Sequence, residues 1–235
     1  HGTGAKIQSA SDITVSATQG TWGLTMYNNS LIQSTGGNIS ITSNGSSGGL
    51  HMNTTGGIYA SSNTLTPTSI PTAGGTLTIS ATGTSSYGIQ AVAGSFTSFG
   101  AMSLTASGGL EGMYIYGSGA IRTVGNITIN TTGTTSNAYW GLYLDNSRVI
   151  QSTAGNISIT ASGGGGIYIN GGGIIAGNDT TTPSSGGTIN INSQATAAGA
   201  GYAALRMDAD GTDIFAYGDI TINGNAAVNG LNNSG

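Results

Sequence analysis

The side chains able to do acid–base or metal chemistry are few. Asp12, Glu111, Asp145, Asp179, Asp208, Asp210, Asp213 and Asp219 are all the carboxylates in 235 residues, Lys6, Arg122, Arg148 and Arg206 the only strong cations, and His1 and His51 the only imidazoles. A hydrolase or lyase acting on polysaccharide needs carboxylates, or a carboxylate and a base, gathered on one face. Only Asp208, Asp210 and Asp213 lie close in sequence, in the run Asp208-Ala209-Asp210-Gly211-Thr212-Asp213. Hard cations want several oxygens, which makes this run a weak Ca²⁺ candidate. It lacks the terminal Glu of an EF-hand loop and the Gly-Gly-x-Gly-x-Asp repeat of calcium-binding solenoids, so it reads first as a polar turn. His51 has no second His beside it and reads as a surface residue. No catalytic residue, metal ligand set or cofactor is assigned.

The elements that would position these groups follow from composition. The chain holds 43 Gly and only 5% charged residues, with Ser, Thr and Asn at most polar positions. Disordered chains are poor in aliphatic residues, whereas Ile, Leu and Val recur here at regular intervals, so the chain is expected to fold, mostly as β-structure. A net charge of -4 and four scattered cations leave no basic stripe for nucleic acid. Cysteine is absent, which removes disulfides and thiolate metal sites. No apolar run reaches the roughly 18 residues of a membrane helix, so membrane insertion is not expected. Without a signal-like segment at His1, the chain reads as a mature product or part of something longer.

A turn followed by two apolar residues two apart occurs eight times, beginning at Ile13, Ile39, Leu77, Met102, Ile127, Ile157, Ile189 and Ile220. The alternation is that of a strand with one buried face, here strand A. The residue before each start is often Asn or Asp, usually preceded by Gly, a pairing that reads as a turn tolerating left-handed backbone. A second strand, B, follows with Leu24 and Met26, Leu50 and Met52, Met113 and Ile115, Leu142 and Leu144, Ile167 and Ile169, and Leu205 and Met207, and Ile89 starts a weaker copy. A shorter and less regular strand, C, follows at Leu31-Ile32, Ile58, Phe96, Ile121, Val149-Ile150, Ile174-Ile175 and Ile214-Phe215. The shortest period is 25 residues, from Leu77 to Met102 and again to Ile127. Extra length falls near 61–73 and 177–186, and all three prolines lie outside the strands.

Three short strands per coil of about 25 residues predict an all-β, single-stack parallel β-helix of seven to eight coils, continuous over 1–235. At roughly 4.8 Å per coil the rod is about 34 Å long. No coil has a core of its own, since a buried Ile contributes about 1.5 to 3 kcal/mol against about 1 to 2 kcal/mol of ordering per residue. The columns Ile13, Ile39, Leu77, Met102, Ile127, Ile157, Ile189 and Ile220 are therefore the structural ladder that neighbouring coils share.

The runs Gly-Asn-Ile-Ser-Ile-Thr, Gly-Asn-Ile-Thr-Ile-Asn and Gly-Thr-Leu-Thr-Ile-Ser resemble the repeats of filamentous-haemagglutinin-type bacterial exoproteins, which include two-partner-secreted and autotransporter adhesins. The likeness covers nearly the whole chain. The Asn-Pro-Asn motifs of that family's secretion domain are not among its features, since the prolines follow Thr66, Ile70 and Thr182. The resemblance implies a right-handed β-helical rod at the bacterial surface, serving adhesion.

Two outward rows carry the remaining possibilities. Strand B presents Thr25, His51, Gln90, Tyr114, Tyr143, Tyr168 and Arg206, which puts Tyr114, Tyr143 and Tyr168 on consecutive coils. Such an aromatic ladder stabilises stacked strands, and it is also a candidate binding surface whose flat faces suit a sugar. Strand A presents Thr14, Ser40, Thr78, Ser103, Thr128, Ser158, Asn190 and Thr221, too mixed for the monotonous Thr array that binds ice. The sequence thus points to a non-catalytic, extracellular, cell-surface rod of a bacterial filament or adhesin. Its expected partners are further coils or identical subunits end to end, with surface glycans as a second class. The alternatives are a carbohydrate-active β-helix enzyme and an ice- or glycan-binding solenoid.

Overall fold

The computed structural model describes residues 4–53, 55–62, 71–134, 139–178, 183–197, 202–226 and 231–233. Parts of both insertions, 63–70 and 179–182 with Asp179, fall outside the described residues.

Among the described residues there is no helix, and the strands pair in parallel through three stacked faces. Face A is an eight-stranded sheet of Ile13–Ala17, Ile39–Gly45, Leu77–Gly83, Met102–Ser107, Ile127–Thr132, Ile157–Gly163, Ile189–Ala195 and Ile220–Ala226, in chain order. Face B begins with Trp22–Tyr27, Gly48–Asn53, Ile89–Val92 and Met113–Tyr116, and face C with Lys6–Ser9, Leu31–Ser34, Gly57–Ala60, Ser95–Ser98 and Ala120–Thr123. In the next three coils the two run together as the bent strands Trp140–Ser152, Gly165–Ala176 and Leu205–Ala216, which join them into one thirteen-stranded sheet. The bends fall where Asn146, Gly171, Gly172, Ala209 and Gly211 take positive φ.

Every expected column is in register. Ile127 pairs with Met102 and Ile157, and Ile129 with Leu104 and Ile159. On face C, Ile121 pairs with Phe96 and Ile150. These side chains, with the face B pairs such as Met113 and Leu142, form one core running through the stack. Beyond the aliphatic columns the inward positions shrink to Ser43, Ala81, Ala106, Thr131, Ala161 and Ser193, because the corner towards face B narrows. The corner between faces C and A is closed by buried hydroxyls. Ser152 Oγ donates to Gly125 O at 2.6 Å and accepts from Gly155 N at 2.9 Å.

The Gly-Asn pairs behave differently from the left-handed turn their composition suggests. None of Asn38, Asn126 and Asn156 has positive φ, and neither do Gly37, Gly125 and Gly155. A Cβ on Gly155 would stand 2.5 Å from Asn126 N of the preceding coil, so glycine is there to let coils approach. The Asn side chains climb the stack instead. Asn126 Oδ1 accepts from Asn156 N at 2.8 Å, and Asn156 Oδ1 accepts from Thr188 N at 2.8 Å and from Thr188 Oγ1 at 3.1 Å. Asp12 begins the same ladder by accepting from Asn38 N at 2.7 Å.

This ladder gives a discriminating expectation. Asn156→Ala is expected to cost about 1 kcal/mol in urea unfolding through the lost acceptor. Asn156→Gly, which a left-handed turn would tolerate best, is expected to be no milder. A Gly variant with wild-type stability would return the position to a conformational role.

Candidate functional site

The outward side of face B gathers most of the aromatic residues. Tyr114, Tyr143 and Tyr168 occupy one register row, as expected. Their ring centroids are 5.0 Å (Tyr114 to Tyr143) and 4.7 Å (Tyr143 to Tyr168) apart, with interplanar angles of 38° and 25°. Rings stacked along the rod spend their flat faces on one another, so water meets mainly edges and hydroxyls. All three tyrosines are half-buried, each turning part of its ring to a neighbour.

The ladder is wider than the three tyrosines. Tyr87 stacks on Tyr114 at 5.6 Å, and Trp140 on Tyr168 at 5.1 Å. Arg206 ends the row with its guanidinium 5.1 Å from the Tyr168 ring centre, held by Asp208 Oδ2 at 2.6 Å. At the other end His51 lies 4.8 Å from Trp22 and edge-on to Tyr27, whose hydroxyl is 3.2 Å from Nδ1. Burial lowers the proton affinity of His51. It is thus part of the aromatic band rather than an isolated surface residue.

Hydroxyls along the row lean on carboxylates. Tyr168 OH donates to Asp208 Oδ2 at 3.0 Å, and Asn170 Nδ2 to Asp145 Oδ1 at 2.9 Å. Burial, and then the charge of Asp145, pushes the Tyr114 hydroxyl up to about 12, and the same causes raise Tyr143. The Ca²⁺ candidate does not assemble. Asp208 is taken by Arg206 and Tyr168, Asp210 and Asp213 are exposed, and no metal-holding group of three His, Cys, Asp or Glu occurs among the described residues.

One of the eight carboxyls had no role assigned from the sequence. Glu111, the only Glu in the chain, precedes face B and is 7% exposed. By register it stands between Tyr87 and Trp140 of the neighbouring coils. In the coils after Trp22 and Trp140 that position is Gly48 and Gly165, each with an indole ring lying against it. Its Oε2 has no hydrogen-bond partner, and burial pushes its carboxyl up to about 7. A buried acid with a raised proton affinity is the environment of a general acid. A glycosidase also needs a second carboxylate within roughly 5 to 9.5 Å. Asp145 follows Leu144, the partner of Ile115, so its backbone stands one coil away and five positions along, roughly 17 Å at 3.3 Å per residue and 4.8 Å per coil. The pair does not converge.

The outward hydroxyl row of face A, Thr14 to Thr221, is continuous in register, and its companion row adds an amide ladder in which Asn223 Nδ2 donates to Asn192 Oδ1 at 2.9 Å.

No family model, curated protein or solved structure matches this chain. The site therefore has to be read from its own chemistry.

That chemistry sets a pH dependence. Glu111 binds its proton more tightly folded, with a value near 7, than unfolded, with a value near 4.5. Its contribution is complete below about pH 4.5, is lost as pH rises towards 7 and levels off above, with a ceiling of roughly 3 kcal/mol. Urea unfolding is expected to show lower stability at pH 8 than at pH 5, and Glu111→Gln is expected to flatten the difference. Equal slopes in the two proteins would place the effect elsewhere.

Proposed function

We propose that the chain is a non-catalytic rod segment of an extracellular, cell-surface bacterial filament or adhesin, acting through length, rigidity and a repetitive neutral surface. The observation that carries this reading is the state of the apolar columns at the two ends. From Ile13 to Ile189 the first column of face A is 0 to 7% exposed, yet Ile220 is 44% exposed. On face C, Ile7 is 50% exposed while its partner Ile32 is 3% exposed. A stack that closes on uncovered isoleucines gains apolar burial by continuing them. Among the described residues the outermost strands Ile13–Ala17 and Ile220–Ala226 of face A pair on one side only, and such edges invite pairing.

The two ends match each other. Ile220-Thr221-Ile222 repeats the in, out, in pattern of Ile13-Thr14-Val15. A further coil would extend the columns without a change of register, whether it came from the same longer polypeptide or from an identical subunit end to end. The likeness of the repeats to filamentous-haemagglutinin-type adhesins supports a bacterial surface as the place of action, and surface glycans as the partner class of an adhesive rod.

The purified chain is expected to associate end to end, giving concentration-dependent sedimentation and rods of several lengths in electron micrographs. Combining Ile7→Lys with Ile220→Lys is expected to suppress the association while leaving the coil spectrum intact. Short particles of a single length at every concentration would count against the proposal.

A further inference from the structure

The outward row of face C runs Gln33, Tyr59, Thr97, Arg122, Gln151 and Ile175 in register. Outward rows ordinarily face water, but this one is covered: Gln33 is 0%, Tyr59 4%, Thr97 6%, Gln151 5% and Ile175 3% exposed. Arg122 alone among them is partly open. The two insertions leave the stack after Ala60 and Ala176, so Arg122 lies midway, two coils from each.

Next to the insertions the polar groups of the row are satisfied. Gln33 Nε2 donates to Ser61 O at 3.0 Å, and Gln151 Nε2 donates to Gly177 O at 3.1 Å. Ser95 Oγ, on the coil next to Tyr59, accepts from Ala120 N at 3.2 Å. In the middle of the row they are not. Arg122 Nε is buried without an acceptor, and no carboxylate among the described residues pairs with the guanidinium. On the adjoining coil, about 4.8 Å away, Thr97 stands in register with Arg122 on the same outward row.

A guanidinium stripped of water without an acceptor is costly, and burial weakens its hold on the proton. Such a cost is retained at sites where a ligand supplies the missing partner. The Arg fork matches the paired oxygens of an oxyanion, and a hydroxyl one coil away adds a third donor. We propose that Arg122 and Thr97 form an oxyanion site on face C that takes the carboxylate or sulfate of an acidic saccharide. This inference does not rest on the rod reading, since it uses neither the ends of the stack nor its length.

The test is calorimetric titration of the full chain with sodium glucuronate, sodium sulfate, glucose and sodium chloride at constant ionic strength. Saturable binding of glucuronate is expected, with glucose and chloride silent. Arg122→Gln is expected to weaken it about tenfold or more, with Arg122→Lys in between and Thr97→Val also weaker than wild type. Glucuronate bound in preference to sulfate assigns an acidic saccharide, and equal binding of the two assigns a free inorganic oxyanion at the same site. The anion-free melting temperature is a second readout: a ligand site predicts that Arg122→Gln melts no lower than wild type, because it removes an uncompensated charge. Absence of saturable binding, binding untouched by Arg122→Gln and Thr97→Val, or a lower anion-free melting temperature in Arg122→Gln each overturns the assignment.

Discussion

Coils stacked in register roughly 4.8 Å apart make each side chain the neighbour of its own counterpart, and the rest of the structure follows from that repetition. An isoleucine above an isoleucine extends a core, as in the column from Ile39 to Ile189. An asparagine above an asparagine closes a hydrogen bond, as Asn126 does with Asn156. A charge above a like charge repels. The 5% charged content is therefore a consequence of the architecture, and Ser, Thr and Asn fill the outward rows because they can meet their own kind without penalty.

The same closeness dictates the glycines. At Gly88 a Cβ would come within 2.5 Å of Ser107 N and 2.6 Å of Gly112 O, and at Gly112 within 2.6 Å of Gly141 O. These residues form a stripe where face B leaves the corner, and their work is to be thin rather than to turn left-handed. Positive φ gathers mainly at the passage from face B to face C, at Asn28, Asn29, Ala93, Asn146 and Ala209 as well as Gly117 and Gly211, and there a non-glycine residue often serves.

The inward columns were legible because a period of two within a period of 25 is written in residue types that have no other use here, and all eight starts of strand A pair as the spacing predicts. The corners were not legible. Gly-Asn is compatible with a left-handed turn and with a side-chain ladder, and only the distance between coils decides. Tyr87 and Glu111 escaped because they precede their strands, and Trp140 because it is the first residue of its own, where the alternating pattern has not begun. The available signal was positional: Glu111 occupies the slot that Gly48 and Gly165 fill elsewhere. The covered row on face C escaped for a related reason. Alternation says which way Gln33 and Gln151 point but says nothing of the insertion backbone that captures them at Ser61 O and Gly177 O.

A lattice that rejects charge gives meaning to the charges it keeps. Asp208 and Arg206 neutralise each other at the end of the tyrosine row, and Asp12 serves as an acceptor at the foot of the asparagine ladder. Those two uses are structural and complete. Glu111 and Arg122 are different, since each has a buried polar atom with no partner. They lie on different faces, so neither can compensate the other, and the repeat itself offers nothing that calls for them. Ile157 in place of Ile127 leaves the scaffold unchanged, but among the described residues no other coil has a buried carboxyl in register with two aromatic residues or a guanidinium in a covered row. Specific chemistry in such a rod belongs where the period fails, because only there can one coil differ from the next without repeating the difference along the whole stack.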